Sequence, residues 1–184
     1  SPKFLYDRLG SKLFEAITEL PEYYPTRTEA AIFVEHAQEM ARHIGAIGSL
    51  IDLGAGNCAK ASSLFAALRP QHYLAVDISV DFLREALDRV SREHPQVEVA
   101  GVGLDFSASA ALPEAMIHGR PIFFYPGSSI GNFTPEQALG FLHGLRQQAD
   151  GGGLLVGVDL VKSADVLELA YEHMNHPEHV QVEP

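Results

Sequence analysis

From Leu50 onward, short apolar runs alternate with longer segments in which apolar residues recur at helical spacing. The runs predict buried strands, and the longer segments predict helices packed against them. Strands alternating with helices form parallel β-α-β units, so we predict an α/β fold with a Rossmann-like, doubly wound, mostly parallel sheet. The predicted strands are LIDLG, HYLAVD, VEVAGVG, PIFFYP and GLLVGVD, and the predicted helices cover residues 59–68, 80–93, 135–149 and 164–174, with a weak turn at 110–117.

The residues before Leu50 are predicted to be mainly helical. Apolar positions in SKLFEAITEL predict a short helix that ends at Pro21. Thr26 and Glu29 have the spacing of a capping box, so we predict that a longer helix follows and runs to about Ile44. We therefore divide the chain into an N-terminal helical segment, residues 1–48, and a Rossmann-like core, residues 49–184.

Charge and composition exclude several classes of protein. The chain has 13 basic and 24 acidic residues, a formal net charge of -11, and no cluster of Lys and Arg. Such a surface repels a phosphate backbone, so we expect no nucleic-acid partner. No apolar run is long enough to cross a bilayer, the N-terminus lacks the core of a signal peptide, and the single Cys58 cannot form an internal disulfide. We therefore expect a cytoplasmic protein without a membrane partner.

The first predicted strand ends in a glycine-rich turn, and ligands of doubly wound sheets bind at such strand ends. Gly54, Gly56 and Ala59 match the dinucleotide-binding pattern G-x-G-x-x-G/A. Asp77 follows at about the spacing of an acid that accepts hydrogen bonds from ribose hydroxyls. The pattern is therefore compatible with an NAD-dependent oxidoreductase.

Asp52, at the end of the same strand, favours a different ligand. An unpaired buried carboxylate costs on the order of several kcal/mol. Pyrophosphate would bring a like charge, whereas S-adenosyl-L-methionine brings an ammonium and a sulfonium. Asp105, after the third predicted strand, could accept from an adenine amino group with Phe106 against the ring. Three acids at successive strand ends favour the methyl donor over NAD.

The fourth predicted strand is followed by the polar segment GSSIGN, whose backbone could approach a substrate closely. Thr134, Pro135 and Gln137 then have the pattern of a capping box with proline at the first helical position. We predict that Asn132 projects into the site, where its amide could accept from an amine and donate to a carboxylate, as binding an amino acid requires. The alternative is a left-handed turn residue with no further role.

Several segments together resemble the histidine-specific N-alpha-methyltransferases of ergothioneine biosynthesis: YDRLGSKLFEAIT, LPEYYPTRTEA, LIDLGAGNCAK, FYPGSSIGNFTPEQ and VGVDLVKSADVLELAY. The resemblance runs from about Phe4 to Tyr171 and implies a class I S-adenosyl-L-methionine-dependent methyltransferase. It further implies in-line methyl transfer to the alpha-amine of an amino acid, L-histidine, up to trimethylation. The family's C-terminal substrate portion is not recognisable after Tyr171, so a truncated donor-binding module without turnover is an alternative.

The resemblance also implies roles for individual residues. Tyr6 would stand near the acceptor amine, and Asn132 would orient that amine, so these two are the expected catalytic residues. Tyr23, Gly127 and Asn132 would hold the amino acid, which places part of the substrate site on the N-terminal segment. The residues expected to contact the donor are Asp52, Gly54, Gly56, Lys60, Asp77, Asp105 and Phe106.

Three histidines near the C-terminus, His173, His176 and His179, recur every third residue. Metal ligands on a helix more often stand four apart, and Pro177 interrupts any helix there. We therefore predict a solvated tail and no metal site.

Overall fold

The apolar runs of the sequence form the strands of one parallel sheet. The computed structural model describes Gly10, Leu13 and residues 16–20, 23–106 and 111–161. The strands are β1, Ser49–Leu53; β2, His72–Asp77; β3, Glu98–Gly103; β4, Pro121–Tyr125; and β5, Gly153–Val156. The helices are α1, Tyr24–Ile44; α2, Ala59–Ser63; α3, Phe65–Leu68; α4, Val80–Glu93; and α5, Pro135–Gln148, with 3-10 turns at Glu114–Met116 and Ser129–Asn132.

The strand order is β3-β2-β1-β4-β5, and every neighbouring pair is parallel. The chain runs outward from β1 in one direction and then restarts at β4 in the other. Strand order therefore reverses between β1 and β4, where Asp52 is in register with Phe124. In a doubly wound sheet this reversal opens a crevice at the carboxyl ends of the two strands. The predicted fold is confirmed.

Both faces of the sheet are covered, which explains why the central strands are mostly apolar and not alternating. All five residues of β1 and of β4 are buried. One face packs against α1, α2, α3 and α4, with the rings of Phe33 and Phe124 5.6 Å apart. The other face carries Ile51, Leu74, Phe123 and Tyr125 and packs against Phe141 and Leu145 of α5.

Most predicted elements are confirmed, and the differences have local causes. β2 and α4 have the predicted bounds, whereas the helix predicted at 59–68 is divided at Leu64 into α2 and α3. β5 ends at Val156. The N–H of Gly157 still donates to the carbonyl of Tyr125, but the N–H of Asp159 donates to Ser128 Oγ at 2.9 Å, away from the ladder. The helix predicted at 164–174 lies outside the described residues. Of the short helix predicted in SKLFEAITEL, Leu13 and residues 16–18 are helical.

The prediction that Thr26 and Glu29 form a capping box is wrong. α1 begins earlier, at Tyr24, with Pro25 in its first turn and no side-chain cap. Proline has the helical φ and no N–H of its own, so it starts a helix without Thr26. Glu29 instead accepts a hydrogen bond from the backbone N–H of Gly127, which is 98 residues away in sequence.

The second capping box is confirmed at the start of α5. The N–H of Gln137 donates to Thr134 Oγ1 at 3.3 Å, and the N–H of Thr134 donates to Gln137 Oε1 at 2.9 Å. This reciprocal pair fixes where the polar loop after β4 ends and the helix begins. In the ranges that the structure describes, no helix combines the length and apolar character needed to cross a membrane.

Candidate functional site

The glycine-rich turn after β1 is tied to the end of β2. The N–H groups of Gly54 and Ala55 both donate to the carbonyl of Val76, at 2.8 and 3.1 Å. Gly54 and Gly56 have φ of 76° and 52°, which side-chain-bearing residues adopt at a cost. The N–H of Gly56 donates to Asp77 Oδ2 at 2.9 Å. The turn therefore presents bare backbone at the carboxyl edge of the sheet, in a fixed position.

Asp77 shapes this turn from the other side. Besides the bond from Gly56, its Oδ1 accepts from the backbone N–H of Ser79 at 2.9 Å, so the carboxylate joins the turn to the start of α4. A carboxylate oxygen has more than one lone pair, so both oxygens can still accept from a ligand hydroxyl. Asp77 is thus able to bind a ribose while it holds the turn.

Asp52 lies beneath the turn, on the face of the sheet shared with Tyr73. Its side chain is buried, at 2% exposure, and Tyr73 Oη donates to Oδ2 at 2.8 Å. The other oxygen, Oδ1, has no hydrogen-bond partner among the described residues. The pKa of Asp52 is raised to about 7, mainly because the carboxyl group is buried. The Tyr73 hydrogen bond and the charge of Lys60 lower this pKa, whereas the charge of Asp77 raises it. An unpartnered buried oxygen fits a ligand that brings a proton donor or a positive charge.

Cys58 packs beside this aspartate and is fully buried. Burial raises the pKa of its thiol to about 12, and the pKa of Tyr73 is likewise raised well above its usual value, mainly by burial. The thiol therefore stays protonated and unreactive, and the Tyr73 hydroxyl remains a proton donor. Cys58 is thus a buried residue of the core that follows the glycine turn.

Phe106 covers the turn from the end of β3. A Cβ on Gly54 would lie 3.5 Å from Cζ of Phe106, so the ring closes directly over the glycine. The same ring packs edge-on against Tyr125, with centroids 5.7 Å apart, and is half-buried. Asp105 precedes it and is also half-buried. Phe106 therefore packs against the core with one part of its ring, and another part lies over the glycine turn.

A second group of residues lies where α2 meets the loop after β4. Lys60 Nζ is 2.6 Å from Glu29 Oε2, and the N–H of Gly127 donates to Glu29 Oε1 at 2.7 Å. Gly127 has a φ of 76°, and a Cβ there would lie 3.2 Å from Lys60 Nζ. Lys60, expected on the donor side, and Gly127, expected on the acceptor side, are thus direct neighbours. We call Glu29, Lys60 and Gly127 the Glu29 junction.

The remaining predicted site residues are placed less closely. Asn132 is exposed at the end of the 3-10 turn Ser129–Asn132 and has no positive φ, so its left-handed alternative is wrong. In this loop Gly127 and Ser128 take the left-handed conformation instead. Tyr23 is half-buried immediately before α1. The predicted catalytic Tyr6 and the three C-terminal histidines, His173, His176 and His179, lie outside the described residues.

A family model with the description "Histidine-specific methyltransferase, SAM-dependent" matches residues 1–179. The chain belongs to this family. It is 38% identical to the histidine N-alpha-methyltransferase of Mycolicibacterium smegmatis over 177 residues, which cover 93% of this chain and 54% of that protein. It is 36% identical to ergothioneine biosynthesis protein 1 of Neurospora crassa over 84% of this chain and 18% of that protein. The chain therefore spans about half the length of the mycobacterial relative, and the predicted family is confirmed.

A solved structure supports the fold of this histidine-specific methyltransferase family member. N-methyltransferase NodS from Bradyrhizobium japonicum, in complex with S-adenosyl-L-homocysteine, superimposes with a TM-score of 0.50 at 12% identity. The match covers 75% of this chain and 62% of NodS. The family assignment leaves the NAD-dependent oxidoreductase alternative without support.

Sequence reasoning missed two residues of this candidate site. Tyr73 stands in an apolar strand, and nothing local shows that its hydroxyl meets Asp52 across the β1–β2 pair. Glu29 has a local interpretation as a capping residue, whereas both its partners lie in later elements. A buried tyrosine needs a hydrogen-bond partner, so Tyr73 could have been flagged as unpaired. Glu29 offered no comparable indication.

The described residues, 23–106 and 111–161 with a few earlier positions, contain no candidate metal site. No three or more His, Cys, Asp or Glu side chains there are grouped so that they could hold an ion.

Proposed function

We propose that this protein methylates the alpha-amine of L-histidine, up to the trimethylated product, with S-adenosyl-L-methionine as donor. One observation carries the proposal: the helix that follows the glycine turn contacts the loop after β4 at the reversal of strand order, with Lys60 Nζ 3.2 Å from where a Cβ of Gly127 would be. A donor on the turn would therefore adjoin an acceptor on the loop. The mycobacterial relative is named a histidine N-alpha-methyltransferase, which supports the choice of substrate.

The chain's own residues fit the donor. S-adenosyl-L-methionine supplies an electrophilic methyl group on a positively charged sulfur. Gly54 and Gly56 leave the backbone open to close approach, and the free Oδ1 of Asp52 lies in the buried space below. Charge complementarity between this carboxylate and a cationic ligand offsets the cost of its burial. We assign the ribose hydroxyls to Asp77, the adenine to Asp105 and Phe106, and the donor carboxylate to Lys60.

The acceptor side orients the amine. We assign the carboxylate and amine of histidine to Tyr23, Gly127 and Asn132, with Tyr6 beside the acceptor nitrogen. The Asn132 amide oxygen accepts an N–H of the neutral amine and so turns the nitrogen lone pair toward the donor. Holding two reactants in attack geometry can remove roughly 7 to 11 kcal/mol of the barrier, so no covalent nucleophile is needed.

Two measurements test the proposal. Isothermal titration calorimetry with S-adenosyl-L-homocysteine and with NAD is expected to show binding of the first ligand alone. Mass spectrometry of histidine incubated with protein and donor is expected to show species with one, two and three added methyl groups. Tryptophan and glycine, added as competing acceptors, test whether histidine is preferred. Binding of NAD but not of the sulfur nucleoside would refute the donor. Binding of the sulfur nucleoside without methylation of histidine would favour a donor-binding module.

A further inference from the structure

We propose that Glu29 is a positioning residue that sets the acceptor loop against the donor side of the site. It acts through Lys60 and the backbone of Gly127 and does not itself touch the reacting atoms. This inference rests on the proposed function, because it concerns the relative placement of donor and acceptor.

Both carboxylate oxygens of Glu29 are engaged, and by different elements. Oε1 accepts from the N–H of Gly127 after β4, and Oε2 pairs with Lys60 Nζ on α2. The Glu29 side chain is only 14% exposed, whereas Lys60 is 33% exposed. The hydrogen bond from the Gly127 N–H to an ionised carboxylate is charge-assisted, and such bonds are shorter and stronger than neutral ones. The contact of Oε2 with Lys60 Nζ adds the attraction of an ion pair. Glu29 therefore fixes the Gly127 backbone and the Lys60 ammonium relative to each other.

The surrounding backbone is built around this carboxylate. A Cβ on Gly157, just after β5, would collide with Glu29 Oε1 and would lie 3.2 Å from Cα of Pro126. Gly157 N donates to the carbonyl of Tyr125 at 3.0 Å, so the glycine is held at this spot. A side chain at position 157 would therefore displace the Glu29 carboxylate and crowd the loop after β4. Four parts of the chain thus converge on Glu29: α1, α2 and the segments after β4 and β5.

α1 does not depend on Glu29 for its attachment to the sheet. Phe33 packs against Phe124 in the core. At the other end of the helix, Arg120 donates through Nη1 to the carbonyls of Ile44 and Ala46, at 2.6 and 3.0 Å. Loss of the Glu29 carboxylate therefore leaves α1 docked and releases mainly Gly127 and Lys60. Glu29 is therefore a positioning residue: its loss moves Gly127 and Lys60 without undocking the helix that carries it.

The first experiment compares Glu29→Gln with Glu29→Asp and with a matched control, Glu35→Gln, on the same helix at 77% exposure. Glutamine keeps an acceptor for Gly127 but loses the charge, and aspartate keeps the charge but is too short to reach both partners. For both Glu29 variants we expect kcat at saturating histidine and donor to fall by about tenfold to a hundredfold, because a misplacement of about 1 Å can have that effect. The melting temperature is expected to change little, because Phe33 and Arg120 still hold α1, and the control is expected to match wild type in both measurements.

The aspartate variant separates position from charge. Wild-type kcat in Glu29→Asp would mean that neutralising Lys60 is sufficient and would overturn the inference. Unchanged kcat in Glu29→Gln, or a fall explained entirely by unfolded protein, would also overturn it.

The second experiment does not depend on catalysis. Amide hydrogen exchange at Gly127, followed by NMR in the protein without ligand, is expected to quicken by about tenfold in Glu29→Ala and to stay unchanged in Glu35→Ala. Equal exchange at Gly127 in wild type and Glu29→Ala would refute the inference even if histidine is methylated. Faster exchange in a protein that does not methylate histidine would instead support the role of Glu29 and refute the proposed function.

Discussion

The glycine turn after β1 and the polar loop after β4 lie at the same edge of the sheet but are held in different ways. The turn is bonded to the adjacent strand β2, through contacts such as Gly56 to Asp77, 21 residues apart. The loop depends on partners far along the chain: Glu29 lies 98 residues before Gly127, and Asp159 lies 31 residues after Ser128. The geometry of the turn is thus local to one β-α-β unit, whereas that of the loop is assembled from several. We expect mutations to separate the two sides accordingly.

The largest effect is expected on the acceptor side. Asn132→Ala removes the amide assigned to the amine, and kcat/KM for histidine is expected to fall by at least about a hundredfold because the acceptor is no longer oriented. Steady-state kinetics and calorimetry with S-adenosyl-L-homocysteine measure the two sides separately, and the Kd is expected to stay the same. The control is Gln147→Ala, which removes an exposed amide from α5. If Asn132→Ala lowered donor affinity as much as it lowered activity, the donor and acceptor sides would not be separable by mutation.

On the donor side, Asp77→Ala removes the acceptor for both Gly56 and Ser79. Hydrogen bonds to charged groups contribute about 1.5 to 3 kcal/mol, so the Kd for S-adenosyl-L-homocysteine is expected to rise by about tenfold to a hundredfold. Calorimetry measures this change. The control is Asp81→Ala, whose carboxylate on the nearby α4 is 73% exposed. Donor affinity equal in the two variants would show that Asp77 does not hold the turn for the ligand.

A smaller effect concerns pH. Asp52 has a pKa of about 7 in the folded protein, above its usual 3.8, because burial favours the neutral acid. A cationic donor favours the ionised form, so affinity for S-adenosyl-L-methionine is expected to increase from about pH 6 to about pH 8, by at most about tenfold per pH unit below the pKa. Calorimetry across this range measures it. In Asp52→Asn the same titration is expected to be flat, and a flat profile in wild type would contradict the assignment.

The same group affects folding with the opposite sign. The folded state binds this proton more tightly than the unfolded state, so the contribution of Asp52 to the free energy of unfolding falls as pH rises from about 4 to about 7. Tyr73 Oη donates to the ionised form and opposes the rise in pKa. Tyr73→Phe is therefore expected to move the donor-affinity transition to higher pH. A transition at the wild-type pH in this variant would show that the Tyr73 bond has no influence.

The smallest effect is expected where the loop after β4 ends. Thr134→Ala removes the capping box of α5 and is expected to lower the free energy of unfolding by about 1 kcal/mol. Thr26→Ala, at the position where no cap forms, is expected to cost only a few tenths of a kcal/mol. Chemical denaturation of both variants measures the difference. Equal losses would contradict the observed start of α1.

The fold could be predicted because its evidence is repeated along the chain. The central strands are mostly apolar because helices cover both faces of the sheet, and the bounds of β2 and α4 were predicted correctly. The start of α1 was missed because Thr26 and Glu29 have the spacing of a capping box. The helix instead begins at Tyr24, where Pro25 in the first turn makes a side-chain cap unnecessary. Local patterns therefore gave the elements, and errors arose where two local explanations competed.

By itself, the sequence determined the order of strands and helices along the chain, the glycine turn and the acid that ends β2, because these depend on neighbours within one β-α-β unit. Only the tertiary structure decided that Asp52 is buried against Tyr73 and that Glu29 joins Lys60 to Gly127. Those contacts join elements whose alignment is set by strand register and helix packing across the whole sheet. A residue's distant partners follow from that packing, and its neighbours in sequence do not reveal them.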